Sequence, residues 1–514
     1  MMYLIHQNNR LLRILDNEFK AISFNKKRSI TEALYELAQC FPTEIIVWCH
    51  KAYMDFINKK HINNIFHHKR ILASYTVSDK NYISKQIGFV DQSVFIKVNK
   101  EVTYPTWLMS SDIGGIHAEI LITVLKDFKK HNNFDYFLNS LAKSAMSQGL
   151  FCYSEPHFFI SKPKAISHNQ ISTLELFKFV KSHYKWVWVY LLMLCYLIYL
   201  KKLPIIPFVK SLFSNRKSYD LDFNTITLNS SRKVIDKKEI DVIIPTIGRK
   251  VYLYDVLKDL SKQTILPKNV IIIEQNPDKN SNTELNFLTD ESWPFKINHK
   301  FTHQTGVCNA RNIGINLVQS EWLFLGDDDN RFEPNLIENI FEEIEKTGSK
   351  VGSTVYLKSD EKQTYTKTAQ TPVFGGGNSF VKSSVINNVK FNLQYEYNYG
   401  EDSDFGMQIR NLGEDIIYFS NIRITHLKAP VGGYRIKVEH PWENEKHMPK
   451  PSPTIMLFNL KYLTKQQNQL YKLLLFIKFY KSQSIKNPFK YIASMKRKWQ
   501  TSLKWADTLK KRNA

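Results

Sequence analysis

The sequence predicts an α/β protein built on mostly parallel sheets. Three observations carry that expectation. Short apolar runs, Asp241 to Pro245 and Asn269 to Glu274, alternate with segments of helical spacing, Val251 to Gln263 and Asn309 to Val318. That is the pattern of strands joined by crossover helices. A fainter version of the same alternation runs through residues 1–165. Finally, Asp327, Asp328 and Asp329 stand at the end of the apolar run Trp322 to Gly326, where an open α/β sheet binds its ligands. The first and third carboxylates of such a cluster can point the same way, so Asp327 and Asp329 are candidates to share one divalent cation. Hard oxygen ligands suit Mg²⁺ or Mn²⁺.

At 514 residues and 43% hydrophobic content the chain can build two or three domains. Its boundaries are expected at 1–165 (α/β), 170–225 (an aromatic, apolar linker), 238–460 (the α/β domain holding the aspartates) and 461–514 (a basic helical tail). The net charge is +23, and the last 54 residues hold fourteen Lys and Arg against one acid, Asp507. Such tails suit nucleic acid or anionic lipid. No helix-turn-helix, zinc-finger or RNP pattern accompanies the charge, and the lysines lie beside apolar helices, which favours inner-leaflet anionic lipid over nucleic acid. Cys40, Cys49, Cys152, Cys195 and Cys308 are scattered, which argues for a reducing compartment and against disulfides or a zinc site. Met1 to Arg10 has no cationic lead followed by an apolar core, so no signal peptide is expected and the location is read as cytoplasmic.

Trp186 to Leu200 carries no charge and is bounded by Lys185 and by Lys201-Lys202. It is shorter than the roughly 20 residues of a membrane span, and its tryptophans and tyrosines suit the headgroup region. An interfacial or re-entrant helix, a buried interdomain helix and a true span all remain open.

A weak internal repeat links the two α/β regions. Cys40 to Ala52 parallels Val318 to Asp329, Ser110 to His117 echoes the glycine run at Gly375, and Gln148 to Tyr153 echoes Leu412 to Tyr418. His50, Lys51 and Ala52 stand where the aspartates would be.

Five motifs follow in order from Glu239 to about Arg435: Ile243-Ile244-Pro245-Thr246-Ile247-Gly248-Arg249; Glu274-Gln275-Asn276; Gly306-Val307-Cys308-Asn309-Ala310-Arg311-Asn312-Ile313-Gly314; the aspartate triplet; and Tyr399-Gly400-Glu401-Asp402-Ser403-Asp404. In this order they resemble a GT-A glycosyltransferase of the large inverting family 2, over roughly 200 residues. The resemblance implies a Rossmann-like GT-A domain at 238–460; with it, the internal repeat makes 1–165 an expected degenerate GT-A-like domain, and the charge pattern makes 461–514 expected basic amphipathic helices. It implies that Pro245, Thr246, Gly248 and Arg249 meet the nucleotide, and that Glu274 and Asn276 lie by its base, with glutamate in place of the usual aspartate. Gly306 would let backbone approach the nucleotide, and Arg311 would contact the ligand from a helix whose N-terminal end favours anions. Asp327 would touch ribose or metal, Asp329 would ligate the metal, and Asp328 would point away while still belonging to the nucleotide site. Gly376 and Gly377 would let backbone approach sugar and acceptor. Asp402 would be the catalytic base with Glu401 beside it, His426 a further metal ligand, and Arg435 a grip on the diphosphate.

The function implied is transfer of one sugar from a nucleotide-diphosphate sugar, a UDP-sugar, to a hydroxyl of a glycan or lipid-linked glycan in bacterial surface polysaccharide synthesis. Mn²⁺ or Mg²⁺ is the implied cofactor. A processive polysaccharide synthase is disfavoured, since the chain lacks a Q-x-x-R-W motif. The alternative class is a basic membrane- or nucleic-acid-binding protein on a non-catalytic GT-A-like scaffold. It is disfavoured by the presence of Asp327, Asp329 and Asp402 together.

Overall fold

A computed structural model describes residues 1–24, 29–125, 133–167, 169–216, 219–430 and 438–511. The chain forms two compact units, Met1–Arg232 with Leu463–Lys472, and Lys233–Tyr462 with Leu473–Ala514. Residues 170–225 group with the first unit, and the C-terminal segment contributes to both.

In the first unit, strands β1 (Met2–Gln7), β2 (Arg10–Leu15), β3 (Ala21–Ile22), β4 (Ile45–His50), β5 (Ile71–Tyr75), β6 (Tyr104–Pro105), β7 (Ile113–His117) and β8 (Phe151–Ser154) form one sheet. Their order among the described residues is β3-β2-β1-β4-β7-β5-β8-β6. β4 and β5 are apolar nearly throughout because both of their faces are covered. The helix Ile30–Cys40 feeds β4. Ser29 and Glu32 close its first turn as a capping box, and Ile30, Ala33, Leu34, Leu37 and Ala38 bury one stripe of it.

In the second unit, strands β9 (Ile240–Thr246), β10 (Asn269–Gln275), β11 (Lys296–Thr302), β12 (Trp322–Gly326), β13 (Asn330–Arg331), β14 (Val351–Leu357), β15 (Ala369–Gln370), β16 (Asn378–Lys382) and β17 (Ile417–His426) form the second sheet. The order is β11-β10-β9-β12-β16-β14-β17-β13, with β15 paired to β17. β9 runs parallel to β10 and β12, and β10 parallel to β11. The helices Lys250–Ser261 and Val307–Ile315 precede β10 and β12, as the strand–helix alternation requires.

The two sheets share a core. β1, β4, β5, β7 and β8 follow one another along the chain as β9, β12, β14, β16 and β17 do, and sit in the same spatial order. Their pairings also have the same sense: parallel, antiparallel, antiparallel, parallel. The register is shared as well. Cys49 pairs with Ile113 as Gly326 pairs with Asn378, which places His50, Lys51 and Ala52 at the aspartate positions. Gly149 and Gly413, each four residues before an equivalent strand residue (Tyr153 and Ile417), are both left-handed (φ 101° and 87°). The first unit therefore repeats the core topology of the second, as the sequence repeat implied. It departs at one edge, where the antiparallel hairpin strand β2 replaces the parallel β10 and its crossover helix.

The C-terminal helices differ in one respect from the expected lipid-facing tail. Trp499 is buried with its ring edge-on to Phe476, and Trp505 packs on Trp442 and donates to Glu445 Oε1 at 2.8 Å. Lys450 lies 3.3 Å over the Phe479 ring. These aromatics hold the helices to their own unit, and only Phe489 among them is largely exposed.

Asp241 pins the amino-terminal ends of β9, β10 and β12, opposite the end of the second sheet that carries the aspartate triplet. It is fully buried on β9, and its carboxylate accepts from the Gln319 amide (2.7 Å), the Ser320 amide (3.0 Å), the Ser320 hydroxyl (2.6 Å) and Asn269 Nδ2 on β10 (2.7 Å). One side chain thus ties β9, β10 and the turn entering β12. Asp241→Ala strands four buried donors and is expected to cost on the order of 3 kcal/mol. Urea unfolding of the variant measures this, and a loss under about 0.5 kcal/mol would remove the network from the account.

Candidate active site

The carboxyl ends of β9, β10 and β12 open onto a cavity of about 550 Å³, within the range of small-ligand sites. Thr246, Arg249, Arg311, Asp327, Asp328, Asp329, Gly376, Gly377, Glu401, Asp402 and His426 all line it, together with Pro245 and Gly306. The segments that carried the resemblance therefore converge.

Asp327 and Asp402 face each other across Arg311. The guanidinium is buried, with Nη2 3.1 Å from Asp327 Oδ1 and Nη1 3.3 Å from Asp402 Oδ1. Asp402 and Asp327 hold Arg311 protonated against the cost of burial. Asp402 also accepts the Gly376 amide at 3.0 Å. A Cβ on Gly376 would sit 2.3 Å from Arg311 Nη1 and 2.4 Å from Asp402 Oδ1, and one on Gly377 would sit 2.0 Å from Asp327 Oδ2. The glycine run exists so that backbone can come this close to the carboxylates. Asp402 occupies the first turn of the helix Glu401–Asn411, and its side chain is 35% exposed. Burial nevertheless raises its pKa, with Arg311 and the Gly376 amide pulling the other way. That combination suits a proton acceptor. Asp404, two residues on, is structural: it is fully buried and accepts from Lys461 (3.0 Å) and Tyr462 (2.9 Å).

The triplet splits by face. Asp328 is buried against Thr246 Oγ1 (2.8 Å) and Arg249 Nη1 (2.7 Å), and burial pushes its carboxyl up against the pull of Arg249. Arg249 is thus engaged with the protein's own carboxylate. Asp329 lies with Oδ1 3.5 Å from His426 Nε2, and Oδ2 accepts the Ala429 amide at 2.8 Å. Although burial works to raise it, His426 and Ala429 hold Asp329 below the usual carboxylate range. Among the described residues no three His, Cys, Asp or Glu side chains converge as a preformed metal cage. The Asp329–His426 pair with Asp327 nearby still offers oxygen and imidazole donors of the right type for a cation that completes its shell with substrate phosphates.

Several expected residues lie elsewhere. Glu274 does not line the cavity. It turns to the other face of β10, where Thr283 Oγ1 (2.6 Å) and His299 Nε2 (2.9 Å) occupy its carboxylate. Successive strand residues point to opposite faces, so the next residue, Gln275, faces the cavity instead. Gln275 is 5% exposed, and its Oε1 has no hydrogen-bond donor among the described residues. Asn276 and Gly248 also lie outside the lining, and Arg435 falls outside the described residues. The helix end expected to attract anions is already filled. Glu396 accepts the Cys308 (3.0 Å) and Asn309 (2.9 Å) amides there, and a Cβ on Gly306 would meet its carboxyl at 2.4 Å. Gly306 therefore makes room for Glu396.

Glu396, Tyr356 and Tyr397 line the cavity without having belonged to any motif. Tyr356 lies with its hydroxyl 3.1 Å from Asp327 Oδ2 and 2.8 Å from Asn330 Oδ1, and its ring stacks on His426 at 4.5 Å. It orients both Asp327 and His426. Tyr397 meets Thr305 at 2.5 Å.

Comparison with known proteins points to the same stretch of chain. Residues 241–404 match the Glycosyl transferase family 2 family model. The match lies within the second unit and spans the motifs that line the cavity. Glycosyltransferase GlyG of Streptococcus pneumoniae serotype 4 is 22% identical over 122 residues, which cover 24% of this chain and 40% of that one. An uncharacterized glycosyltransferase of Bacillus subtilis, YwdF, is 31% identical over 129 residues, covering 25% and 46%. The chain spans less than half the length of these curated relatives. Among solved structures, S. aureus TarS 1–349 in complex with UDP-GlcNAc has a TM-score of 0.38 at 16% identity, over 52% of this chain and 79% of that one.

Gln275 and Glu274 are separable by experiment. Gln275→Ala is expected to weaken binding of a nucleoside diphosphate, UDP as probe, by about tenfold, the loss of about one to two hydrogen bonds. Glu274→Gln is expected to leave it within about twofold, because that side chain faces away. Titration calorimetry of both variants checks this, and the reverse ranking would return the base-reading role to Glu274.

Proposed function

We propose that this chain moves one sugar from a nucleotide-diphosphate sugar, a UDP-sugar, to a hydroxyl of a lipid-linked glycan acceptor, with inversion at the anomeric carbon and dependence on a divalent cation. The observation that carries the reading is Asp402, a carboxylate of raised pKa on the wall of the cavity that also holds Asp327 and Asp329. The family-model match over 241–404 supports a nucleotide-sugar donor.

In this reading Gln275 accepts a base N–H with Oε1. Asp327, held by Arg311 and Tyr356, receives the ribose or the cation. Asp329 and His426 would hold Mn²⁺ or Mg²⁺, which when bound neutralises charge on the diphosphate leaving group. Asp402 takes the proton of the acceptor hydroxyl as its oxygen bonds to the anomeric carbon and the bond to the diphosphate oxygen breaks. Attack and departure on opposite sides of that carbon invert it. Arg311 keeps Asp402 charged and aimed, and the Gly376 amide fixes its other oxygen.

The first unit supports a non-catalytic role. His50 replaces the first aspartate, and the strand that carries Gln275 has no parallel counterpart there. Its equivalent of Asp402 is Asp135, closed off by the amide (2.8 Å) and hydroxyl (2.9 Å) of Ser111, which stands where Gly376 does in the other unit.

Asp402→Asn is expected to lower turnover by about 10²- to 10⁴-fold with UDP affinity nearly unchanged. The wild-type kcat/KM must also fall as pH drops through a pKa above the usual carboxylate range of about 4, since only the deprotonated base works. Near-normal turnover in the variant would refute the assignment. Asp329→Ala is expected to lower Mn²⁺ affinity by about tenfold or more, read by calorimetry with UDP present, and full transfer activity in excess chelator would contradict the cation dependence.

A further inference from the structure

We infer that the outer face of residues 186–213 in the first unit is a docking surface for an anionic lipid bilayer. The segment folds as the helix Val187–Cys195, a π-helical turn over Tyr196–Leu200, and the helix Ile205–Leu212. One side of this hairpin is already satisfied. Val189, Leu192, Cys195 and Tyr196 are buried, and Phe177 of the helix Thr173–His183 packs on Tyr196 and Phe208.

The other side is apolar without being needed for the core. Trp186 is 64% exposed, Ile206 67% and Phe213 84%, and Tyr190, Leu203 and Val209 are exposed with them. Folded proteins seldom leave so many large apolar side chains together in water unless the patch binds something. The helix Val187–Cys195 is apolar on every side, and the helix Ile205–Leu212 buries Ser211 while Ile205, Ile206 and Val209 stay exposed. Among the described residues no helix is long and apolar enough to cross a membrane, so the patch can lie on a bilayer but not traverse it.

Charge selects the occupant. From Leu176 to Tyr219 the sequence has no acidic residue, and Lys185, Lys201, Lys202, Lys210 and Arg216 are all exposed around the apolar side chains. Lysine stems can lie along an apolar surface while the ammonium groups reach anionic headgroups. Tryptophan and tyrosine favour the same interface depth. A second copy of this chain would bring the same cations against these in a two-fold contact. Nucleic acid would satisfy the lysines but not Ile206 and Phe213. An anionic bilayer satisfies both. The inference stands apart from the catalytic reading, because none of these residues lines the cavity.

The test uses the full chain and sedimentation with vesicles, either of equal parts phosphatidylglycerol and phosphatidylcholine or of phosphatidylcholine alone. Two double variants are compared with wild type: Ile206→Ser with Phe213→Ser, and Lys201→Glu with Lys202→Glu. Wild type is expected to partition to the anionic vesicles at least about tenfold better than to the neutral ones, and each double variant to lose about tenfold or more of that partition. UDP binding and melting temperature, measured in parallel, are expected to stay at wild-type values and show that the variants fold. Equal partition to both vesicle types, no partition at all, or unchanged partition in both folded variants would overturn the proposal. So would a self-associating chain that the serine variant turns into monomers without any vesicle binding, since that would assign the face to a second copy.

Discussion

The catalytic end of this protein depends on one buried guanidinium. Arg311 stands between Asp327 and Asp402, carboxylates from segments far apart in sequence that would repel each other without it. Taking three charged groups out of water has a desolvation cost, so the triad contributes geometry more than stability. Several contacts fix Arg311 from behind. Its guanidinium lies 5.1 Å over the Phe391 ring, and the next residue, Asn312, exchanges hydrogen bonds with the Phe391 backbone at 2.7 and 2.9 Å. Gly314, one turn on, lets the helix settle against Ile243 of β9, where a Cβ would lie 2.6 Å from the isoleucine. The spacing of Arg311, Asn312 and Gly314 is thus a single device that seats a helix and aims a cation.

The two units show what this device is for. Both have the same five-strand core in the same register, and both place an aspartate at the start of the helix after the glycine or serine run. The second adds the parallel strands β10 and β11, places Gly376 beside the carboxylate, and carries acids at the end of its second core strand, β12. In the first, Ser111 uses both its amide and its hydroxyl on Asp135, and His6 packs edge-on to His50 and Phe134.

Much of this was legible in the sequence where chemistry forces a residue type. A carboxylate cluster after a buried strand, an Arg-Asn-x-Gly helix start and a Glu-Asp pair leave few alternatives, and the apolar runs named the strands of the second sheet. The repeat was visible because register preserves the strand-end residues. What escaped notice depends on geometry that composition does not carry. Whether Glu274 or Gln275 faces the cavity is a matter of strand parity, and a one-residue shift exchanges them. Glu396 and Tyr356 belong to segments with no motif, brought in by the glycine runs and by β14. The aromatic tail reads as lipid-facing from its lysines, but Trp499 and Trp505 find partners within their own unit, and pairing at that distance leaves no local pattern. By contrast, the run at 186–200 left an interfacial, a buried and a spanning helix open, because its length and flanking lysines suit more than one of them.

The central claim is that a single base, Asp402, works on the side of the anomeric carbon opposite the leaving diphosphate. The configuration of the first-formed product tests it most directly. Proton NMR of the glycoside formed from an α-linked UDP-sugar of gluco or galacto configuration that it accepts reports the anomeric coupling, because a glycosidic acetal does not mutarotate. The account predicts that the β product forms first. An α product formed first, with retention, would require a covalent intermediate or front-face attack and would contradict the role assigned to Asp402.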